Sequence, residues 1–218
     1  MTRDEAIALI QQQLGFRTDL ESTIILNLKA AQLLLEKEPT KPWFLLSEDS
    51  YVRTTAAEQR LQLPSDFLQE AEEAVLRYVP DEDDDADVDT SNEVELVKED
   101  YDVLRVNYKS NVEGPPEAYA LVGEYFRLFP TPDDDYLIRM IYYKQDTVLD
   151  TNVENAWLKH APYVLMGKAG WQIASALRDS FAQTTFSKWE AQGRVILFSQ
   201  NEARAHVNRS YQVGGSHV

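Results

Sequence analysis

The stretch from residue 115 to residue 181 constrains the chain most. It holds two aromatic and branched runs, a turn signal between them, and a helical pattern with glycines in its apolar stripe. Residues 123–129 (GEYFRLF) and 136–143 (YLIRMIYY) both suit a pleated, largely buried surface. Between them lies Pro130-Thr-Pro-Asp-Asp-Asp135. Its prolines fix φ and its aspartates can hydrogen-bond their own backbone, which predicts a turn that makes the two runs an antiparallel hairpin. Asn155-Ala-Trp-Leu158 then leads into a helix predicted over 161–181, with Pro162 in the first turn. Tyr163, Gly167, Gly170, Trp171, Ala174, Leu177 and Phe181 recur at spacings of three and four, and the small residues in that stripe admit the close approach of another backbone.

The N-terminal part reads as helical. Thr2 with Glu5 and Thr18 with Glu21 each match a capping box, predicting helices over 2–14 and 19–37 that form an antiparallel pair. Ile7, Ile10 and Leu14 stripe the first; Ile24, Ile25, Leu28, Ala31 and Leu35 stripe the second, which Pro39 stops. A β region is expected over about 42–145. Trp43 to Leu46 and Tyr51 to Thr54 read as strands on either side of a polar turn, Leu61 and Leu63 lead to Pro64, and the second half of 67–78 reads as strand. Residues 93–108 read as one short helix, 107–116 as a loop, and 118–121 as a further strand.

A last helix is predicted over 185–206. Phe186, Trp189, Gly193, Ile196 and Leu197 lie on one side of it, while Val195 and Phe198 fall off that stripe. A helix apolar on more than one face has to bury more than one face, which marks Phe186, Trp189, Val195 and Phe198 as candidate subunit-interface residues. Residues 205–218 carry few apolar side chains and the pair Gly214-Gly215, and read as an extended arm. The expected class is α+β: a helical bundle built from the N-terminal pair and the long C-terminal helices, a small antiparallel sheet, and the arm. Residues 1–204 are taken as one domain, since 218 residues fill a single core.

Charge narrows the function. A net charge of −16 disfavours tight nucleic-acid binding, which gains its affinity from Lys and Arg on phosphates. There is no cysteine for disulfides or thiolate metal sites, and Arg3, Asp4 and Glu5 interrupt any N-terminal apolar leader. Asp81, Asp83, Asp84, Asp85, Asp87 and Asp89 crowd one segment, 80–91. Read as a calcium loop from Asp81, it puts Ala86 where glycine is needed and Asn92 where a bidentate glutamate is needed; from Asp83 these positions are Val88 and Val94. The segment is therefore expected to be a solvated loop. His160, His206 and His217 show no zinc or triad spacing, and no phosphate-cradling loop is present, so no cofactor is expected. Asp133, Asp134 and Asp135 are placed on a turn tip. A carboxylate pair acting on a glycan, as in a small peptidoglycan hydrolase, is the alternative reading.

An ordered set of motifs carries a resemblance. Leu63-Pro-Ser-Asp-Phe67, Gly114-Pro-Pro-Glu-Ala-Tyr119, Gly123 to Arg127-Leu-Phe-Pro-Thr-Pro132, the Tyr142-Tyr143 strand end and Asn155-Ala-Trp157 before a Gly/Ala helix follow each other over roughly residues 1–210. Together they resemble the head-to-tail adaptor, or connector, proteins of tailed bacteriophages. The resemblance implies a non-enzymatic virion protein at the head–tail junction, assembled in the host cytoplasm. It implies a ring, commonly of twelve copies, that docks on the portal protein, extends the DNA channel without specific DNA contacts, and carries the tail tube or nozzle protein. It further implies a C-terminal arm reaching the portal, for which Arg204, Arg209, Tyr211 and Val213 are the candidate contacts. The acidic loops (Asp81, Asp83, Asp84, Asp85, Asp133, Asp134, Asp135) would face the lumen or tail.

Overall fold

The computed structural model describes residues 1–71, 75–79, 93–108, 112–149 and 154–212, the last eight of these as backbone. In chain order the elements are α1 (Arg3–Gln13), α2 (Glu21–Glu36), β1 (Leu46–Arg53), β2 (Arg60–Gln62), β3 (Phe67–Glu70), β4 (Leu76–Val79), β5 (Val94–Glu95), β6 (Val97–Lys98), α3 (Tyr101–Asn107), β7 (Ala118–Val122), β8 (Tyr125–Phe129), β9 (Leu137–Lys144), α4 (Ala156–His160), α5 (Pro162–Leu177) and α6 (Ser180–Gln212). Short 3-10 turns occupy Thr18–Leu20 and Trp43–Leu45. The class is mixed α+β. The chain divides into two compact units, Met1–Leu45 with Gln145–Val218, and Leu46–Lys144.

The first unit is helical. The capping box at Thr2 forms: its hydroxyl accepts from the Glu5 N–H at 3.2 Å, and the Glu5 carboxylate accepts from the Thr2 N–H at 2.8 Å. The one expected at Thr18 does not. Asp19 there takes the Arg17 guanidinium at 2.7 Å, a 3-10 turn covers Thr18–Leu20, and α2 starts at Glu21 without a side-chain cap. At its other end α2 is capped by Lys41, whose ammonium donates to the carbonyls of Glu36, at 2.7 Å, and Glu38.

Helices α5 and α6 form an antiparallel hairpin, closed by Arg178 at φ 58° and by Asp179, whose carboxylate accepts from the Ala182 N–H at 3.0 Å. This ends α5 before Phe181, which the expected 161–181 helix had included; Phe181 lies instead in the first turn of α6 and is 78% exposed. Tyr163, Trp171 and Leu177 from the expected stripe are exposed too, and the buried face consists of Val164, Leu165, Met166, Gly167, Ala169, Gly170, Ile173 and Ala174. The helix axes come close because of glycine. A Cβ on Gly167 would stand 2.5 Å from the Glu190 nitrogen, and one on Gly193 would stand 2.8 Å from Val164 Cγ2. The Phe186 ring fills the space a side chain on Gly170 would take.

The second unit packs two sheets around one core containing Leu61, Leu76, Leu96, Tyr119, Phe126, Leu128, Ile138 and Met140. In one sheet β9 is central, flanked by β1 on one edge and by β4, then β5, on the other, with β3 continuing the β4 edge. In the other the order is β2-β8-β7-β6, antiparallel except for the β6–β7 pair.

The expected hairpin between 123–129 and 136–143 is absent. The two runs belong to different sheets, and residues 130–136 cross between them, held by Thr131 N–H to the Val112 carbonyl at 3.2 Å and Ala57 N–H to the Pro132 carbonyl at 2.8 Å. The tight hairpin is β7–β8, with Val122 opposite Tyr125 and Gly123 at φ 64° in the first loop position, a geometry glycine adopts without strain. Three further expectations change. Residues 47–50 make a bulge within β1, not a turn between strands; 67–70 is strand as well as 76–79; and 93–108 divides into β5, β6 and α3, with Asp100 capping α3.

Candidate functional site

The end of α2 and its facing helices carry a cluster of ion pairs. Arg194 on α6 donates to both oxygens of Glu38, at 2.8 Å each, and to Glu190 one turn earlier at 2.8 Å. Lys168 on α5 reaches Glu38 at 3.0 Å. Arg194 and Lys168 together hold the Glu38 carboxyl at about 2, well below the usual range. Beside it Leu35, Pro39, Pro42, Trp157, Val164 and Leu197 line a mostly apolar cavity of ≈ 220 Å³.

Two residues before Glu38 the chemistry reverses. Glu36 is 1% exposed; Oε1 accepts from Gln32 at 2.9 Å, the Asp146 N–H at 3.2 Å and the Trp157 indole at 3.3 Å, while Oε2 has no partner. Burial pushes this carboxyl above its ordinary value despite those donors. Gln32 also donates to the carbonyls of Asp146 and Thr147, and Asn155 bridges Gln32 Oε1 and the Thr147 carbonyl. Glu36 is thus enclosed by its own chain and ties Asp146 and Trp157 to α2. Among the described residues no group of three or more His, Cys, Asp or Glu side chains could hold a metal.

An aromatic group follows. His160 stacks on Phe44 at 5.3 Å between ring centroids and meets Trp43 edge-on at 4.8 Å, and the Arg204 guanidinium lies 3.4 Å from the centroid of Trp43. Burial, then Lys159 and Arg204, draw the His160 imidazole below its usual range.

The residues singled out from sequence are dispersed. Phe186 is fully buried against α5 and Trp189, so it is core and offers no surface to a neighbour. Trp189 packs edge-on against Tyr163. Val195 and Phe198 are 69% and 48% exposed, Phe198 also lining the cavity beside Glu38, and Ile196 is 55% exposed. Phe181 lies fourteen residues earlier, a distance of about 21 Å along the helix. Sequence reasoning had assigned it to the core; its position just after the Arg178 turn is what exposes it. Asp133, Asp134 and Asp135 are exposed and locally bonded: Asp133 accepts from the Tyr136 hydroxyl, Asp134 from the Asp135 N–H at 2.8 Å, and Asp135 from the Ala56 N–H at 3.2 Å. Asp81, Asp83, Asp84, Asp85 and Val213 lie outside the described residues. Arg204 is engaged with Trp43, while Arg209 and Tyr211 fall on the backbone of α6, which continues as helix to Gln212 where an extended arm was expected from 205. The residues from His206 to Gln212 include no glycine or proline to stop the helix.

The chain is therefore a mixed α+β protein that leaves large apolar side chains of α6 exposed. Its sequence matches the SU10 adaptor protein family over residues 1–211, and the chain belongs to that family. Membership makes it a phage head–tail adaptor with a structural role at the head–tail junction of the virion, and such adaptors are in general not enzymes. No curated protein matches the chain. No helix among the described residues is long and apolar enough to cross a membrane.

Proposed function

We propose that copies of this chain close into a ring, twelve by the resemblance, that docks on the portal, extends the DNA channel and seats the tail tube or nozzle. The observation that carries this reading is the outward side of α6. Helix α6 packs on α5 through Gly167, Gly170 and Gly193, yet its Phe181, Val195, Ile196 and Phe198 remain exposed. Large apolar side chains left outside on a helix that already has a partner suit a subunit interface. The net charge of −16 suits a channel wall that duplex DNA slides past, since carboxylates gather no phosphate contacts. The end of the chain, with Arg209, Tyr211 and Val213, supplies the portal contact, and a portal ring acts as template by raising the effective concentration of neighbours.

Electron microscopy of the protein with and without portal tests this. A closed ring with portal and only weakly associating species without it is the expected result; no portal binding overturns the assignment. Truncation after Arg204 is expected to leave the melting temperature nearly unchanged and to weaken docking strongly. Undiminished docking would move the portal contact to the helices.

A further inference from the structure

The chain sets two arginines directly opposite each other in each sheet: Arg77 and Arg139 share Glu93, at 3.2 and 3.0 Å, whereas the pair on the open face of β2 and β8 has no such carboxylate among the described residues. Arg60 on edge strand β2 stands directly opposite Arg127 on β8. Directly opposed residues have their Cβ atoms about 4.5–5.5 Å apart, and like charges at that spacing destabilise a sheet. With 37 acidic residues in the chain, carboxylates are plentiful. Among the described residues, however, neither guanidinium has one at ion-pair distance. Glu58, on the rim, spends its carboxylate on the Arg60 backbone N–H at 3.1 Å. The Arg60 guanidinium rests 5.6 Å from the centroid of Tyr125, and Arg127 Nε is buried with no hydrogen-bond partner. Gln62 and Thr131 also line a shallow depression over this pair. The opposite face of the same strands, Leu61, Phe126 and Leu128, is core. Repulsion between two guanidiniums and a buried donor without an acceptor are both relieved by one kind of ligand, a carboxylate or another oxyanion.

We propose that this face binds the aspartate-rich segment 81–89 of a second copy of the chain. Charge complementarity selects the occupant: six aspartates within nine residues are the densest anionic run in the sequence, and each copy brings one such run and, among the described residues, one opposed arginine pair without a carboxylate. That one-to-one supply is what a heterologous ring contact requires, so the inference rests on the ring reading. Duplex DNA fits less well, because two cations in a chain of charge −16 cannot offset the repulsion of a phosphate backbone.

The test uses the free full-length protein and a labelled synthetic peptide of residues 80–92, read by fluorescence anisotropy at low salt, with inorganic phosphate and a duplex oligonucleotide as competing probes. The peptide is expected to bind, to weaken as salt rises, and to weaken about tenfold in either Arg60→Gln or Arg127→Gln, the loss of one charge-assisted contact. Arg60 is exposed, so its variant folds even if Arg127→Gln does not. No binding, or binding indifferent to both arginines, overturns the site. Displacement by duplex or phosphate at concentrations where the peptide does not compete shows a phosphate site and overturns the choice of ligand. Much tighter peptide capture by a chain whose own 81–89 aspartates are serine shows that the run is held within its own copy, and overturns the second-copy assignment. A wild-type chain that rings on portal but captures no peptide sinks this inference alone, whereas one that never rings sinks the reading beneath it.

Discussion

Arg194 and Glu38, 156 residues apart in sequence, meet fork to fork: Nη1 lies 2.8 Å from Oε2 and Nη2 lies 2.8 Å from Oε1. The pair joins the end of α2 to the middle of α6 and is doubled by Lys168 from α5. Because the Glu38 carboxyl is held at about 2, against an ordinary 4.5, its contribution to stability is present above the ordinary value and disappears as the pH falls from there toward 2. Glu38→Gln is therefore expected to lower the melting temperature at pH 7, and the gap between variant and wild type should narrow steadily between pH 5 and pH 3. A constant gap across that range would show that the packing of the side chain, not its charge, matters.

Glu36 carries the opposite sign. Its carboxyl is raised by burial, so the folded chain holds that proton more firmly than the unfolded chain does. The resulting stability is greatest below the ordinary carboxylate value and is lost as the pH rises from about 4.5 through the folded value. Glu36→Gln, which keeps an acceptor for Gln32, the Asp146 N–H and Trp157, is expected to flatten the pH dependence of stability just above that value. Glu36→Ala, which leaves those donors unpaired, should destabilise at every pH, by about 1–3 kcal/mol for each buried group stranded. Thermal melts of the three proteins from pH 4 to pH 8 decide it; parallel curves for wild type and Glu36→Gln would refute the raised carboxyl.

The α5–α6 contact predicts a steric effect. Gly167→Ala places a methyl 2.5 Å from the Glu190 nitrogen and 2.8 Å from the Phe186 carbonyl oxygen, neither of which can yield without moving α6. Overpacking of this kind costs about 1–3 kcal/mol, against the roughly 1 kcal/mol that alanine gains over glycine inside a helix. A net fall of a few degrees in melting temperature is expected. Gly114→Ala, whose methyl would find only Pro130 Cγ at 3.7 Å, serves as the near-neutral comparison. Equal melts for the two variants would mean that the helices are not in backbone contact.

What could be read from the sequence depended on whether the information was local. Thr2 and Glu5 lie within one turn, so their reciprocal cap was legible. The same pattern at Thr18 did not form: a 3-10 turn covers Thr18–Leu20, with Arg17 paired to Asp19 beside it, and α2 starts only at Glu21. Gly167 and Gly170 announced a close helix contact, but the alternative of ending α5 at Arg178 was invisible, since a left-handed arginine carries no compositional mark. The strands at 125–129 and 137–144 were legible as strands and their partners were not. Prolines and aspartates at 130–135 reverse or redirect a chain equally well, and only the long-range pairing of β1 with β9 and of β2 with β8 decides between a hairpin and a crossover. For the candidate surface, Val195 and Phe198 stood out as apolar residues off the buried stripe. Arg60 and Arg127 gave no signal, being 67 positions apart and brought together only by sheet register.

A subunit interface on α6 would separate surface from core on one helix. Val195 and Ile196 are more than half exposed and Phe181 more so, whereas Phe186, between them in sequence, is fully buried. Val195→Ser, Ile196→Ser and Phe181→Ser remove little packing from the single chain, and surface changes of this kind usually shift stability within about 0.5 kcal/mol. Phe186→Ser opens a cavity in the α5–α6 contact and is expected to cost about 3–5 kcal/mol, as loss of a buried aromatic does. If α6 presents the subunit interface, the three surface variants should melt like wild type yet fail to close a ring on portal by electron microscopy. Phe186→Ser should melt early and fail for that reason alone. Surface variants that melt normally and still form rings would remove α6 from the interface and leave the arginine face of β2 and β8 as the contact to pursue.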